Sequence, residues 1–317
     1  MNFFEEMKLD SYKEITIEPV NGWKIPVILF KGKYEGPTVL FTAQIHASEF
    51  VGTSALIKLS KILKTQTIKG NIILMPCVNT PGFYEGCDAF VPYDKGNLNQ
   101  VYPGKEDGSE SERMAYWFVK EVFPEIDYLF DLHGGGDKET LTPCIFVPTN
   151  SKIQQQSIDI ATHTTIPYLI SSYSKVGEFS YAANVLGISS LLLERGYSGI
   201  CKEEWIEDYL IDIQMILAYL GCIKQTNHKR NQHIFFDDVC YLESEYSGVW
   251  HSFVKEEQNI HPGDLLGYIE NFFGEVLKEY HAEYDGKVFY YNSSLRTIKG
   301  DCLMAYSKDE GTILDKQ

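Results

Sequence analysis

The sequence predicts an α/β fold: a mostly parallel central sheet with helices on both faces, plus a small all-β C-terminal barrel or sandwich domain. Two observations carry this. Through the first two-thirds of the chain, short apolar runs of strand length alternate with segments of helical spacing. Helical spacing then stops near residue 226, and short strands broken by Gly and Pro-Gly turns follow. At 317 residues the chain is long enough for about two domains, read here as 1–226 and 227–317.

Each element has its own warrant. Residues 15–18 and 24–30 are β-branched runs split by Asn21-Gly22, a turn signal. Gly36-Pro37 breaks the chain before 38–43 (TVLFTA), a run apolar throughout, as in a strand buried on both faces. Over 49–64 the residues Val51, Ala55, Leu56, Leu59 and Leu63 recur at helical spacing. Gly70 then leads into a second buried strand, 71–78, and the strand–helix–strand order argues for parallel pairing. The Gly-, Pro- and Asn-rich loop over 79–109 is long enough to suggest a functional role. Helices are predicted over 111–123, 151–163, 177–186 and 203–219, and strands over 128–132, 142–147 and 189–193. Segment 226–232 is polar. Beyond it, turn signals such as Ser247-Gly248, Pro262-Gly263, Phe273-Gly274 and Asp285-Gly286 separate short strands.

Composition narrows the function. Hydrophobic residues at 44% and charged residues at 23% are ordinary for a globular chain and exclude global disorder. Lys and Arg number 28 against 44 Asp and Glu, a net charge of −16. Such a field repels phosphate backbones and anionic lipids, so neither nucleic acid nor membrane is an expected partner. Seven Cys without a CxxC pair fit free thiols in a reducing compartment. The segment MNFFEEMKLD is acidic where a signal peptide is basic, and no apolar run approaches a membrane span. A cytoplasmic protein is therefore expected, and a homo-oligomer is compatible with the sequence.

The chemistry sits at strand ends. His46 and Glu49 follow TVLFTA, His133 follows YLFDL, and Glu194 follows SSLLL. In a parallel α/β sheet the carboxyl ends of the strands line the ligand crevice. Two imidazoles and a carboxylate suit a zinc site with an open position, and a further carboxylate can move a proton between water and a leaving nitrogen. HxxE alone is a weak signal. HxxE, DLH and LLLE, each after a strand and in this order, are far more specific.

The segments GPTVLFTAQIHASEFVG, VNTPG, GNLNQVYPG, SERMAYWFVKEVF, DYLFDLHGGG and GISSLLLERG resemble the succinylglutamate desuccinylase/aspartoacylase family, relatives of the zinc carboxypeptidases. HPGDLLGYI, FGEV and DGKVF extend the resemblance over nearly the whole chain. It implies a zinc exopeptidase-like α/β fold and a zinc-dependent hydrolase of a small N-acyl amide, with a β-rich C-terminal domain shielding the site. It implies His46, Glu49 and His133 as ligands of one Zn2+ per chain, Glu194 as general base and acid, and a small-molecule amide as substrate. The alternatives are a zinc carboxypeptidase acting on peptides and a non-catalytic metal-dependent binding protein of the same fold.

The chain departs from the family pattern in one place. Where relatives carry Asn-Arg, it has Asn99-Gln100, and no Arg lies between Pro81 and Arg113. In relatives such arginines clamp the substrate carboxylate, and a Gln amide cannot supply that charge. Asn99 and Gln100 are thus the substrate-binding candidates, with a neutral or basic leaving amine expected. Lys95 and Arg195 are the other cations to consider, although Arg195, adjacent to Glu194 on an extended segment, should point the opposite way. Asp131 is a candidate partner for His133, and Tyr181 and Tyr197 are candidate assisting tyrosines.

Overall fold

The structure, a computed structural model, describes residues 2–225 and 227–314. The strands in chain order are β1 (Ser11–Val20), β2 (Trp23–Lys31), β3 (Tyr34–Ala43), β4 (Lys69–Met75), β5 (Tyr128–His133), β6 (Glu139–Leu141), β7 (Cys144–Pro148), β8 (Tyr168–Ser172) and β9 (Ser189–Glu194). They continue as β10 (His233–Phe236), β11 (Val239–Glu243), β12 (Gly248–Ser252), β13 (Asn259–Ile260), β14 (Leu265–Glu270), β15 (Val276–His281), β16 (Gly286–Asn292), β17 (Arg296–Thr297), β18 (Cys302–Ser307) and β19 (Thr312–Leu314). The helices are α1 (Phe50–Leu63), α2 (Thr80–Glu85), α3 (Glu110–Trp117), α4 (Gln154–Ala161), α5 (Glu178–Tyr181) and α6 (Glu203–Tyr219).

Ten strands form one sheet in the order β1-β2-β4-β3-β5-β9-β7-β8-β10-β19. The sheet is mixed, with parallel pairs only narrowly outnumbering antiparallel ones, so it is less parallel than expected. Pairs β4–β3, β3–β5, β5–β9, β7–β8 and β8–β10 are parallel. Pairs β1–β2, β2–β4, β9–β7 and β10–β19 are antiparallel. A buried strand reads as the same apolar run in either direction, so periodicity alone could not reveal that β7 is reversed. The β1–β2 hairpin turns at Asn21-Gly22, where Gly22 has φ 77°, the left-handed conformation such a tight turn requires.

The two faces bury different sets of side chains because strand residues alternate. Phe41, Phe130, Leu191 and Leu193 pack against α1, α4 and α6. Leu40, Ile73 and Leu129 face the opposite core with Met114 and Phe118. Each fully buried Leu or Phe contributes about 1.5–3 kcal/mol. The predicted helix over 111–123 is shorter and uneven. A capping box of Ser109 and Glu112 starts α3, and the chain then passes through a wide π turn (Phe118–Val122) into a 3-10 turn at Phe123–Glu125, which contains Pro124. Proline cannot donate to a continuing helix.

Beyond β9 and α6 the chain returns β10 and β19 to the large sheet and builds two smaller ones. One has the order β11-β18-β16-β13, with β6 paired to β16; the other is β15-β14-β12-β17. The boundary expected at residue 226 falls outside the described residues. Among the described residues no helix is long and apolar enough to cross a membrane.

Alternation also settles the position of Arg195. Its side chain is buried on the α6 side, where Nε donates to Asp212 Oδ2 at 2.7 Å, Nη1 to Asp208 at 3.3 Å and Nη2 to the Thr165 hydroxyl at 2.6 Å. Asp212 is fully buried and also accepts from the Thr165 backbone N–H at 2.6 Å. Breaking a buried pair leaves an uncompensated charge, at a cost of about 3–5 kcal/mol. Asp212→Ala should therefore lose about that much stability in urea denaturation followed by circular dichroism. A loss below about 1 kcal/mol would show that Arg195 does not depend on this partner.

Candidate metal centre and its cavity

The turn that leaves β3 is shaped by a strained residue. Gln44 has φ 59°, an unusual conformation for a side chain of its size, and is fully buried. Its amide donates to Ala47 O at 2.7 Å and accepts from the Thr53 hydroxyl at 2.8 Å. Asp88 O in turn accepts from the Ala47 and Ser48 N–H groups at 2.8 and 3.2 Å, and Asp88 Oδ1 from the Ser48 hydroxyl at 2.7 Å. The turn is thereby fixed, with His46 on it and Glu49 at the start of α1.

His133 ends β5 next to this turn. Glu49 lies between the two rings: Oε1 is 2.7 Å from His46 Nδ1 and Oε2 is 3.0 Å from His133 Nδ1. One ligand atom from each of the three residues lies within 4.8 Å of the others, so together they can hold a metal ion. The other nitrogen of each imidazole faces an oxygen acceptor, within a hydrogen bond for His46 and in an ion-pair contact for His133, as metal-binding histidines commonly do. His46 Nε2 is 3.2 Å from Asn97 Oδ1, and His133 Nε2 is 3.1 Å from Asp131 Oδ2. The Tyr209 hydroxyl lies 2.6 Å from His133 O and 2.7 Å from Leu193 O, tying the ends of β5 and β9 together.

Glu194 is the register partner of His133. Its Oε2 is buried and has no hydrogen-bond partner among the described residues. Burial pushes its carboxyl well above the usual range, opposed by His133 and reinforced by Glu49, Glu139 and Asp131. Burial would also raise Glu49, but His46 and His133 draw it down to about 2. Burial would lower His133, yet Asp131 and Glu49 lift it well above an ordinary imidazole. Glu139 is raised by burial and by Glu49, against the Gly136 N–H. So many carboxylates around two imidazoles form a donor set whose repulsion a divalent cation relieves.

The centre opens into a cavity of about 360 Å3. Its wall includes Asp88, Asn97, Asn99 and Glu139 on the metal side, and Tyr241 and Tyr290 from β11 and β16. Among the described residues, no Lys or Arg lines it. Lys138 stands 3.8 Å from Asp88 Oδ2 but is not part of the wall.

His46, Glu49, His133, Glu194 and Asn99 all line this cavity. Gln100 does not; it is exposed at the end of a short 3-10 turn (Leu98–Gln100). Asn99 is anchored through its Oδ1, which accepts from Glu178 N–H at 3.1 Å. Lys95 is exposed, 5.6 Å from the Phe90 ring centroid. Tyr181 packs near Tyr102, and Tyr197 lies over Trp205, both away from the cavity wall. The glycines after His133 serve close packing within the chain: a Cβ at Gly134 would sit 2.5 Å from Arg195 O, and one at Gly136 the same distance from Asp88 Oδ1. The sequence reading missed Asp88, Glu139, Tyr241 and Tyr290. Asp88 and Asn97 lie in the 79–109 loop, marked only as a whole. The tyrosines come from strands whose pairing partners are remote in sequence.

The sequence model of the succinylglutamate desuccinylase/aspartoacylase catalytic domain matches residues 35–220, more than half of the chain. The chain belongs to that family. The N-alpha-acetyl-L-2,4-diaminobutyric acid deacetylase of Halomonas elongata is 29% identical over 272 residues, spanning 83% of this chain and 79% of the relative. The fold is shared with the product-bound ectoine utilization protein of Ruegeria pomeroyi, at TM-score 0.83 and 23% identity, covering 93% of this chain and 94% of that one. A succinylglutamate desuccinylase/aspartoacylase from Rhodobacter sphaeroides superposes at TM-score 0.81 with 22% identity, covering 97% and 96%.

The orienting contact from Asn97 is testable. Removing such a partner typically lowers metal affinity about 10–100-fold. Asn97→Ala should show that loss in a chelator competition, with an unchanged circular dichroism spectrum. Unchanged affinity would mean that the His46 ring is held without it.

Proposed function

We propose that the chain is a zinc-dependent deacylase that hydrolyses a small N-acyl amide. The observation that carries the reading is the meeting of His46, Glu49 and His133 with Glu194, whose Oε2 has no hydrogen-bond partner among the described residues, at one rim. His46, Glu49 and His133 would hold one zinc ion per chain. Bound there, the ion supplies Lewis acidity, which polarises a carbonyl and acidifies water.

The chain's own residues do the rest. Asn97 and Asp131 keep the two imidazoles turned toward the ion. Glu194 takes a proton from water in the cavity and returns it to the departing nitrogen. Burial raises its proton affinity, which favours the protonated form that delivers a proton to the departing nitrogen. Asn99 faces the substrate from the wall. Residues 1–226 act as the hydrolase domain, with 227–317 as a β-rich domain walling the site, in a cytoplasmic protein.

Charge sets the substrate's polarity. The cavity wall carries Asp88 and Glu139 and no Lys or Arg among the described residues. A carboxylate brought beside them meets repulsion and finds no planar cation to pair with. Neutral or cationic amines meet neither penalty. The substrate named for the Halomonas elongata relative, N-alpha-acetyl-2,4-diaminobutyric acid, carries a side-chain amine as well as a carboxylate, so it supports the tolerance for a cation and not the exclusion of a carboxylate.

Two measurements test the reading. Glu194→Gln should lower turnover of N-acyl amides about 10²–10⁴-fold while retaining a full equivalent of metal by elemental analysis. Loss of metal would instead make Glu194 a ligand, and unchanged turnover would remove it from the reaction. In a paired assay, N-acetylaspartate should be cleaved at least tenfold less efficiently than its diamide, about 1.4 kcal/mol in kcat/KM. The opposite preference would mean that a cation outside the present wall serves the site.

A further inference from the structure

The cavity extends well past the metal centre, and its two ends differ in chemistry. Strand register shows how. His133 on β5 pairs with Glu194 on β9, and Glu194 pairs with Cys144 on β7. One row deeper, Leu192 pairs with Phe146, and Phe146 with Ile170 on β8. Directly paired residues project from the same face of a sheet. A continuous floor therefore runs from the metal centre through Glu194 to Cys144, and on over Leu192, Phe146 and Ile170, all of which line the cavity. The Cys144 thiol is neutral here, because burial pushes it well above its usual range and Glu194 adds to this. Val239, Phe289 and Ala305, from β11, β16 and β18, complete the apolar end. That end offers dispersion and release of water, and no partner for a charge.

We infer that this apolar chamber is the subsite for the amine half of the substrate, and that it takes an aromatic or branched aliphatic substituent. The inference rests on the deacylase reading above. Direction follows from the proton's path. The scissile carbonyl must lie at His46, Glu49 and His133, and the departing nitrogen must come within reach of Glu194. Strand order places His46 after β3, then His133, Glu194, Cys144 and Ile170 on successive strands β5, β9, β7 and β8. A substrate laid along that line carries its N-substituent over Cys144 and Phe146. Its acyl group falls on the side of Asn97 and Asn99. A short diamino acid such as 2,4-diaminobutyrate, charged at both its carboxylate and its side-chain amine, would leave the chamber unfilled, so this chain's substrate differs from that of its Halomonas elongata relative in the bulk and apolarity of the amine half.

The test uses the zinc-loaded full-length protein and four neutral probes. N-acetyl-L-phenylalaninamide and N-acetyl-L-leucinamide should each exceed N-acetylglycinamide at least tenfold in kcat/KM. N-phenylacetylglycinamide, with its ring on the acyl side, should show no such gain. Ala305→Phe, which fills the chamber, should lower the phenylalaninamide-to-glycinamide ratio at least tenfold. Phe146→Ala, which removes part of the floor, guards against misfolding of the first variant and should lower the same ratio at least fivefold. Calorimetry of the free amines separates the two readings. Phenylalaninamide should bind at least tenfold tighter than glycinamide, and Ala305→Phe should erase that difference. Cleavage without preference, or a preference for the phenylacetyl probe, overturns the chamber assignment and leaves the deacylase reading in place. No cleavage of any probe, with discriminating binding retained, overturns the deacylase reading and leaves the chamber. Absence of both overturns both.

Discussion

Everything at the site depends on the parallel register of three strands. Leu132 pairs with Ala43 on one side and with Leu193 on the other, so β3, β5 and β9 end level with one another. One residue further on, the chain supplies His133 and Glu194 side by side, and the turn after Ala43 supplies His46. A slip of one residue in any of these pairs would send its polar side chain into the opposite face, among Phe41, Phe130 and Leu191. The apolar core on the α1 and α6 side thus does more than stabilise the fold. It fixes the register that makes the carboxyl ends of the strands meet. Tyr209 adds a polar tie at that point, because its hydroxyl lies between the carbonyls of His133 and Leu193.

The same alternation decides how charge is distributed. Glu194 faces the cavity and Arg195, the next residue, faces α6, where Asp212 and Asp208 hold it. The only Arg adjacent in sequence to the site is thereby committed to the core. The cavity keeps its carboxylates without a compensating cation in its wall. Glu49 reaches about 2 only because two imidazoles flank it, whereas Glu194 and Glu139, further from them, are pushed upward by burial. That contrast separates a carboxylate suited to holding a cation from one suited to carrying a proton.

Legibility in the sequence followed the range of the interactions. TVLFTA, YLFDL and SSLLL were readable as buried strands, and the His and Glu residues at their ends were readable as a set, because each signal is local. Strand direction was not local, and β7 turned out to be reversed. The helix expected over 111–123 broke into three kinds of turn around Phe118 and Pro124, since tertiary packing and one proline outweighed its spacing. Gln100 stood out as a departure from a family pattern, yet it lies outside the cavity wall while its neighbour Asn99 lies within it. Tyr241 and Tyr290 left no trace in spacing at all. They reach the cavity only because β6, from the loop after His133, pairs with β16 and draws the C-terminal strands over the site.

That last pairing links proton affinity to the shape of the binding space. β6 joins Thr140 to Tyr291 and Leu141 to Tyr290, so the C-terminal sheet is attached directly to the segment that follows His133. Its strands place Val239, Phe289 and Ala305 over the floor that begins at Glu194. Burial is the largest influence on the Glu194 carboxyl, and these strands form part of the wall that keeps water from it. The apolar end of the cavity and the raised proton affinity of Glu194 therefore have one structural source. Widening the chamber admits water near the carboxylate and lowers its proton affinity; filling it does the reverse. On the proposed reading, recognition of an apolar substituent and proton transfer by Glu194 cannot be tuned independently, because both depend on how closely β11, β16 and β18 cover β9 and β7.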